Sequence, residues 1–224
     1  MVNKERYIAL SEQLKAQGVT LVAVSKFKSA DDIQALYDLG HRDFGENYVQ
    51  ELTAKAASLP QDINWHFIGH LQRNKVKYIA PFVHLIHGVD SIKLLQEINK
   101  QGKKVNRVID CLLQIHIAEE ETKFGFDATD MAYFATFYEA NKESLSHVRI
   151  RGMMGMASFS DNEEKVRSEF KTLKNLYELH KASTFLFESQ FDTLSMGMSG
   201  DYEIAIAEGA TMVRIGSLLF GKRE

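Results

Sequence analysis

Three places in this 224-residue sequence carry residue types able to do chemistry. The first is Lys26, at the end of the apolar run Thr20-Leu21-Val22-Ala23-Val24-Ser25. Alternate residues of a strand share a face, so Val22, Val24 and Lys26 point the same way. A lysine partly withdrawn from water and facing another cation has its ammonium form disfavoured. The neutral amine is the form that condenses with an aldehyde. On these residues alone the plainer account, a solvated lysine flanking a strand end, stands first. The second place is the loop Ser195-Met196-Gly197-Met198-Ser199-Gly200-Asp201, which leads straight into a helical pattern. Glycines let backbone approach a ligand, and a helix start offers unpaired amides and partial positive charge. The third is Val213-Arg214-Ile215-Gly216-Ser217, a second small-residue loop. Arg214 sits in an apolar run, where an unpaired charge is expensive. It must meet a ligand, solvent or an acid, with Asp201, Glu203 and Glu208 as the acids at hand.

The elements that must position these residues alternate along the chain. Strand-like runs fall at Thr20 to Ser25, Asp43 to Gly45, Ile63 to Ile68, Leu85 to Val89, Arg107 to Ile117, Val148 to Met154, Thr193 to Met196 and Thr211 to Ile215. Helical patterns separate them. In the helix from Glu163 to His180, capped by Asp161 or Asn162, the residues Val166, Phe170, Leu173, Leu176, Tyr177 and Leu179 form the expected buried stripe. Strand–helix alternation implies parallel strands joined by right-handed crossovers. Eight units in this length predict a closed (β/α)8 barrel of the TIM type, folded as a single domain over residues 1–224. The rival open sheet usually shows a glycine-rich turn after its first strand, and Lys26-Phe27-Lys28-Ser29 has no glycine. No helix is expected after the eighth strand. An N-terminal helix over about residues 3–17 would pack on the barrel instead. In such a barrel, reactive groups sit at the C-terminal mouth, and the loops after strands seven and eight form the usual phosphate cradle. Taken together, those two loops read as an anion site. Lys26, Glu46, Asn47, His70, Asp90, His116, Met154, Ser199 and Arg214 end the runs.

Composition removes other functions. The formal net charge is -3, and the basic stretches are short, so neither nucleic acid nor an anionic membrane is an expected partner. The single cysteine, Cys111, allows no internal disulfide and suits a reducing compartment; its neighbours mark it as a buried strand thiol. No signal peptide or membrane-spanning run is seen, which predicts a cytoplasmic protein. Among the eight histidines, His66 and His70 are four apart and His84 and His87 three apart, but no acid or cysteine stands at ligand spacing, and no metal is expected.

At these same residues the sequence closely resembles the pyridoxal phosphate homeostasis protein family. The segments that carry the resemblance are residues 21–26, 44–51 (Phe-Gly-Glu-Asn-Tyr-Val-Gln-Glu), 65–75 (Trp-His-Phe-Ile-Gly-His-Leu-Gln-Arg-Asn-Lys), 89–91, 151–154, 194–199 and 212–216. The resemblance implies a barrel like the N-terminal domain of alanine racemase, the fold type III arrangement for pyridoxal 5′-phosphate (PLP). It implies a Schiff base between PLP and Lys26, with Arg214 near the pyridine nitrogen. Met198, Ser199, Gly216 and Ser217 would surround the phosphate, and Asn47 would lie beside the ring. Phe27 and Ser29 replace the family's usual threonine and proline, and His70 stands where proline is frequent. Lys28, on the same strand face as Lys26, is the rival imine former.

An arginine cannot accept a proton, so Arg214 would leave the pyridine nitrogen unprotonated and the electron sink weak. A racemase also needs a group on the second face of its substrate, which alanine racemase takes from another domain. This chain uses its length on the barrel. The expected function is therefore a monomeric carrier or buffer of PLP that supplies PLP-dependent apoenzymes. A racemase-like enzyme is the runner-up, and a cofactor-free Schiff-base aldolase or phosphosugar isomerase is the alternative of another class.

Overall fold

The computed structural model describes residues 2–119 and 124–221. The first helix, α1 (Lys4–Ala16), begins at Asn3, whose side chain accepts from the Arg6 amide, and ends at Gln17. The expected helix over 3–17 is thus present, caps included. Then come β1 (Thr20–Val24), α2 (Ala30–Tyr37), β2 (Asp43–Glu46), α3 (Val49–Ser58), β3 (Asn64–Phe67), α4 (Val76–Ile79) and β4 (Leu85–Val89). The chain continues through α5 (Ile92–Lys104), β5 (Ile109–Ile115), α6 (Ala128–Asn141), β6 (Val148–Gly155), α7 (Glu163–Lys181), β7 (Thr193–Ser195), α8 (Tyr202–Ala207) and β8 (Met212–Ile215). One further turn of helix, α9 (Ser217–Phe220), follows β8. That turn corrects the expectation of no helix there. It lies against α1, with the Asn3 amide donating to the Leu219 carbonyl at 2.8 Å.

Helix starts are written locally. Ser29, Ser91 and Asn162 each accept from the amide three residues on, and Asp127 with Asp130 makes a reciprocal capping box. The strands are short and all parallel, and β1 pairs with β8 to close an eight-strand barrel. Alternation along each strand makes two cores. Leu21, Ala23, Phe44, Trp65, Phe67, Val213 and Ile215 face the helices and join the large outer core. Val22, Leu85, Leu112, Met154 and Met212 form a small apolar cluster inside the barrel. Cys111 is fully buried in the outer core, and burial pushes its thiol pKa far up, so it is an inert hydrophobe.

The α7 stripe is corrected at one position. Val166, Phe170, Leu173 and Tyr177 are buried, but Leu179 is 60% exposed. At about 100° per residue, Leu179 lies roughly 220° around the helix from Val166, on the far side. Among the described residues, no helix is long and apolar enough to cross a membrane.

Candidate functional site

Lys26 lies just past the end of β1, half-buried, with the inward parity of Val22. In the β1–β8 register Val22 is level with Arg214, so Lys26 is two inward positions further toward the C-terminal mouth. The residues on either side of it are held. Ser25 is fully buried; its amide donates to the Gly45 carbonyl at 3.0 Å and its hydroxyl to Glu46 Oε1 at 2.6 Å. Phe27 has φ of 62°, a left-handed conformation that β-carbon residues resist, and its amide donates to Glu51 Oε1 at 2.6 Å. Lys55 ties the two halves together. Its ammonium reaches the Ser25 carbonyl at 2.8 Å, Glu46 Oε1 at 2.8 Å and Glu51 Oε1 at 2.7 Å.

Glu46 therefore faces the helix layer, not the mouth, which corrects its place among the strand-end groups. Desolvation raises its pKa, against the opposing pull of Lys55 and Ser25. The sequence signal for this clamp was present in part, because Glu51 and Lys55 stand at i, i+4 on α3. The rival Lys28 is anchored elsewhere: its ammonium donates to the Phe220 carbonyl at 3.0 Å.

Asn47 is the first residue after β2. Its side-chain oxygen is buried and has no hydrogen-bond partner among the described residues. An orphaned acceptor of this kind is costly unless a ligand satisfies it. Gly69, from the end of β3, crosses the Asn47 backbone so closely that an added β-carbon would stand 2.4 Å from the Asn47 carbonyl oxygen. Glycine at 69 is what lets Asn47 stay where it is.

Arg214 is 4% exposed and sits within β8, inside the barrel, not at the strand's end. None of the three expected acids bonds to it. Its Nη1 donates to the Ser195 carbonyl at 3.0 Å and to Ser195 Oγ at 2.7 Å, and its Nη2 to the Gly155 carbonyl at 3.1 Å. Glu208 instead pairs with Arg167 at 2.6 Å. Burial lowers the Arg214 pKa to about 10, which still leaves the guanidinium charged at neutral pH.

The loops after β7 and β8 meet. The Gly216 amide donates to Ser199 Oγ at 3.3 Å, and the Met198 amide to Asp201 Oδ1 at 2.5 Å. The turn between them depends on Gly197, whose φ is 94°. Ser217 opens α9 and is exposed. Lys26, Asn47, Met198, Ser199, Gly216 and Ser217 thus all sit at the C-terminal ends of strands, with Arg214 beneath them in the interior.

Two further groupings were not read from the sequence. Beside the mouth, His70 Nδ1 is 3.0 Å from Asp90 Oδ2 and its ring stacks on Phe124 at 4.0 Å, along a cleft of about 550 Å³ that Arg73 and Lys93 also line. At the opposite mouth, Asp43, His66 and His84 bring donor atoms within 4.8 Å of one another, the geometry a metal ion would need. Hydrogen bonds already present account for the core of that grouping, because His66 Nε2 and Asn64 Nδ2 both lie on Asp43 Oδ1. Spacing could not show it, since Asp43 and His66 come from different strands.

The family model for the alanine racemase N-terminal domain matches residues 4–224. The pyridoxal phosphate homeostasis protein of Aquifex aeolicus is 41% identical over 91% of this chain and 87% of its own length. That of Haemophilus influenzae is 37% identical over 100% of this chain and 93% of its own. Among solved structures, PipY of Synechococcus elongatus with PLP bound is 34% identical, with a TM-score of 0.85 over 97% of this chain and 99% of that one. Alanine racemase of Clostridium difficile shares the fold at 16% identity, with a TM-score of 0.70, and this chain spans 58% of it. The expected barrel and the expected resemblance are both borne out: the chain belongs to the alanine racemase N-terminal domain family and, within it, to the pyridoxal phosphate homeostasis proteins.

Proposed function

We propose that this chain binds PLP reversibly through Lys26 and serves as a cytoplasmic, monomeric carrier that limits free PLP and supplies PLP-dependent apoenzymes. The observation that carries this reading is the clamp around Lys26. Residues 25 and 27 are each fixed by buried or half-buried acid groups, which sets the backbone that presents Lys26 at the mouth. The residues present fit the cofactor. The orphaned Asn47 oxygen awaits a donor beside the site. The Ser199 and Asp201 oxygens, now on the Gly216 and Met198 amides, occupy positions that phosphate oxygens would take over, with Ser217 opening the short helix beside them.

Bound there, the cofactor would supply a reactive aldehyde on an electron-withdrawing ring. Arg214 can only donate, so it leaves the ring nitrogen without a proton and weakens that withdrawal. This favours holding over catalysis. The rim also suits a protein partner. Phe27, Tyr48, Phe124, Phe159 and Met198 follow five different strands and are all exposed, with Phe27 and Tyr48 in ring contact, which offers apolar side chains on the loops at this end of the barrel. The PLP-bound relative at 34% identity supports the same reading.

The test is to load the purified protein with PLP, remove free ligand, and add a PLP-dependent apoenzyme. Recovery of apoenzyme activity with loss of the carrier's absorption band is expected. Failure to take up PLP, or sustained racemisation of amino acids by the carrier itself, would contradict the proposal.

A further inference from the structure

Polar side chains inside the barrel are joined end to end from one mouth toward the other. Arg214 Nη1 donates to Ser195 Oγ at 2.7 Å, and Ser195 Oγ is 3.2 Å from His87 Nδ1. His87 Nε2 is 3.0 Å from His66 Nδ1, and His66 Nε2 is 3.0 Å from Asp43 Oδ1. The five groups come from β8, β7, β4, β3 and β2. Arg214, Ser195, His87 and His66 are each at most 4% exposed. Asp43 opens onto a cavity of about 480 Å³ at the N-terminal mouth, which Thr20, His84 and Asp110 also line.

The ends of this chain fix its direction. A guanidinium only donates and a carboxylate only accepts. Asp43 therefore takes the proton on His66 Nε2. A neutral His66 then has a bare Nδ1, which accepts from His87 Nε2. A neutral His87 in turn has a bare Nδ1, which accepts the Ser195 hydroxyl proton. Ser195 Oγ is left presenting its lone pairs to Arg214. Desolvation is the main cause that lowers the His87 pKa, and the nearby Arg214 guanidinium acts in the same direction. Every dipole in the chain thus turns its negative end toward the buried guanidinium, and such aligned bonds reinforce one another.

We propose that Asp43, His66 and His87 are positioning residues for the cofactor, acting through Ser195 to hold the Arg214 guanidinium in one orientation beneath the ring. This rests on the reading of Lys26 and Arg214 as a PLP site. No contact between these three residues and the cofactor is required. Their effect travels through Ser195, whose hydroxyl and carbonyl oxygens both accept from the arginine.

The test has two arms. In the protein without PLP, ¹⁵N spectra of the imidazoles at neutral pH are expected to show both His66 and His87 protonated on Nε2 and bare on Nδ1. Protonation of either ring on Nδ1 overturns the directed chain. With PLP, His87→Phe is expected to weaken binding roughly three- to tenfold and to move the absorption maximum of the bound form. His87→Gln, whose amide still accepts from Ser195 and donates to His66, is expected to restore both. A merely structural role would lower the unfolding temperature and leave the spectrum in place. His87→Phe that binds with native affinity and spectrum overturns the proposal. If the native protein takes up no PLP, the cofactor reading falls and the positioning role with it. The tautomers then still report whether the chain exists.

Discussion

Two basic residues lie toward the same end of the barrel, and a different part of each is visibly held. Around Lys26 the backbone is fixed, with hydrogen bonds on Ser25 and Phe27 from a network of Glu46, Glu51 and Lys55. At Arg214 the side chain is fixed, by three bonds to Ser195 and Gly155 inside the barrel. A group proposed to form a covalent bond is helped by a backbone that does not shift. A group that must present charge to one atom needs the tip itself immobilised. The clamp lies outside the barrel wall, where charged groups from β2 and α3 can be gathered. The chain beneath Arg214 lies inside it, where the groups that bond the guanidinium directly are a hydroxyl and two carbonyls.

The comparison is broken most forcefully by Lys55→Met. It strands a fully buried Glu46 without its cation and releases the Ser25 carbonyl and Glu51 together. A loss of about 3–5 kcal/mol is expected from chemical denaturation, with PLP uptake by Lys26 falling further than stability alone explains.

Acidification acts on the other region. The pKa of His87 is held well below its usual 6.5, mainly by burial. Its unfolded form binds a proton as pH falls through about 6.5, whereas its folded form does not. Its contribution to stability is therefore complete above that pH and erodes as the pH drops from there toward the folded-state value. Unfolding temperatures from pH 8 to 5.5 are expected to fall more steeply for the native protein than for His87→Phe. Equal slopes would show that His87 is not held neutral.

The smallest expected effect is at Phe27, whose left-handed backbone is maintained by Glu51. Phe27→Gly removes that backbone cost, at the expense of the ring contact with Tyr48 at 5.3 Å. A net gain below about 1 kcal/mol is expected by denaturant titration. A clear loss of stability would mean that the aromatic contact, not the backbone, dominates there.

The barrel was legible because its signal repeats: every strand lies within two residues of its expected bounds, and parity along β1 gave Lys26 as an inward position. Arg214's partners were not legible. The sequence left a ligand, solvent or an acid open for this charge, but β7 and β6 bring carbonyls and a hydroxyl, and Glu208 is engaged by Arg167. His66 and His87 each look like lone polar residues in apolar runs. Only the register of closed strands aligns them with Asp43 and Ser195. Asn47 was reached by resemblance, and its unpartnered oxygen supplies a reason of its own.

The central claim is that one amine at the rim, and not its neighbour two residues on, holds the aldehyde. Borohydride reduction of the PLP-loaded protein followed by peptide mapping tests it directly. The account predicts a reduced pyridoxyl adduct on Lys26 and none on Lys28, whose ammonium is tied to the Phe220 carbonyl. An adduct on Lys28, or no adduct at all from a loaded sample, would contradict it.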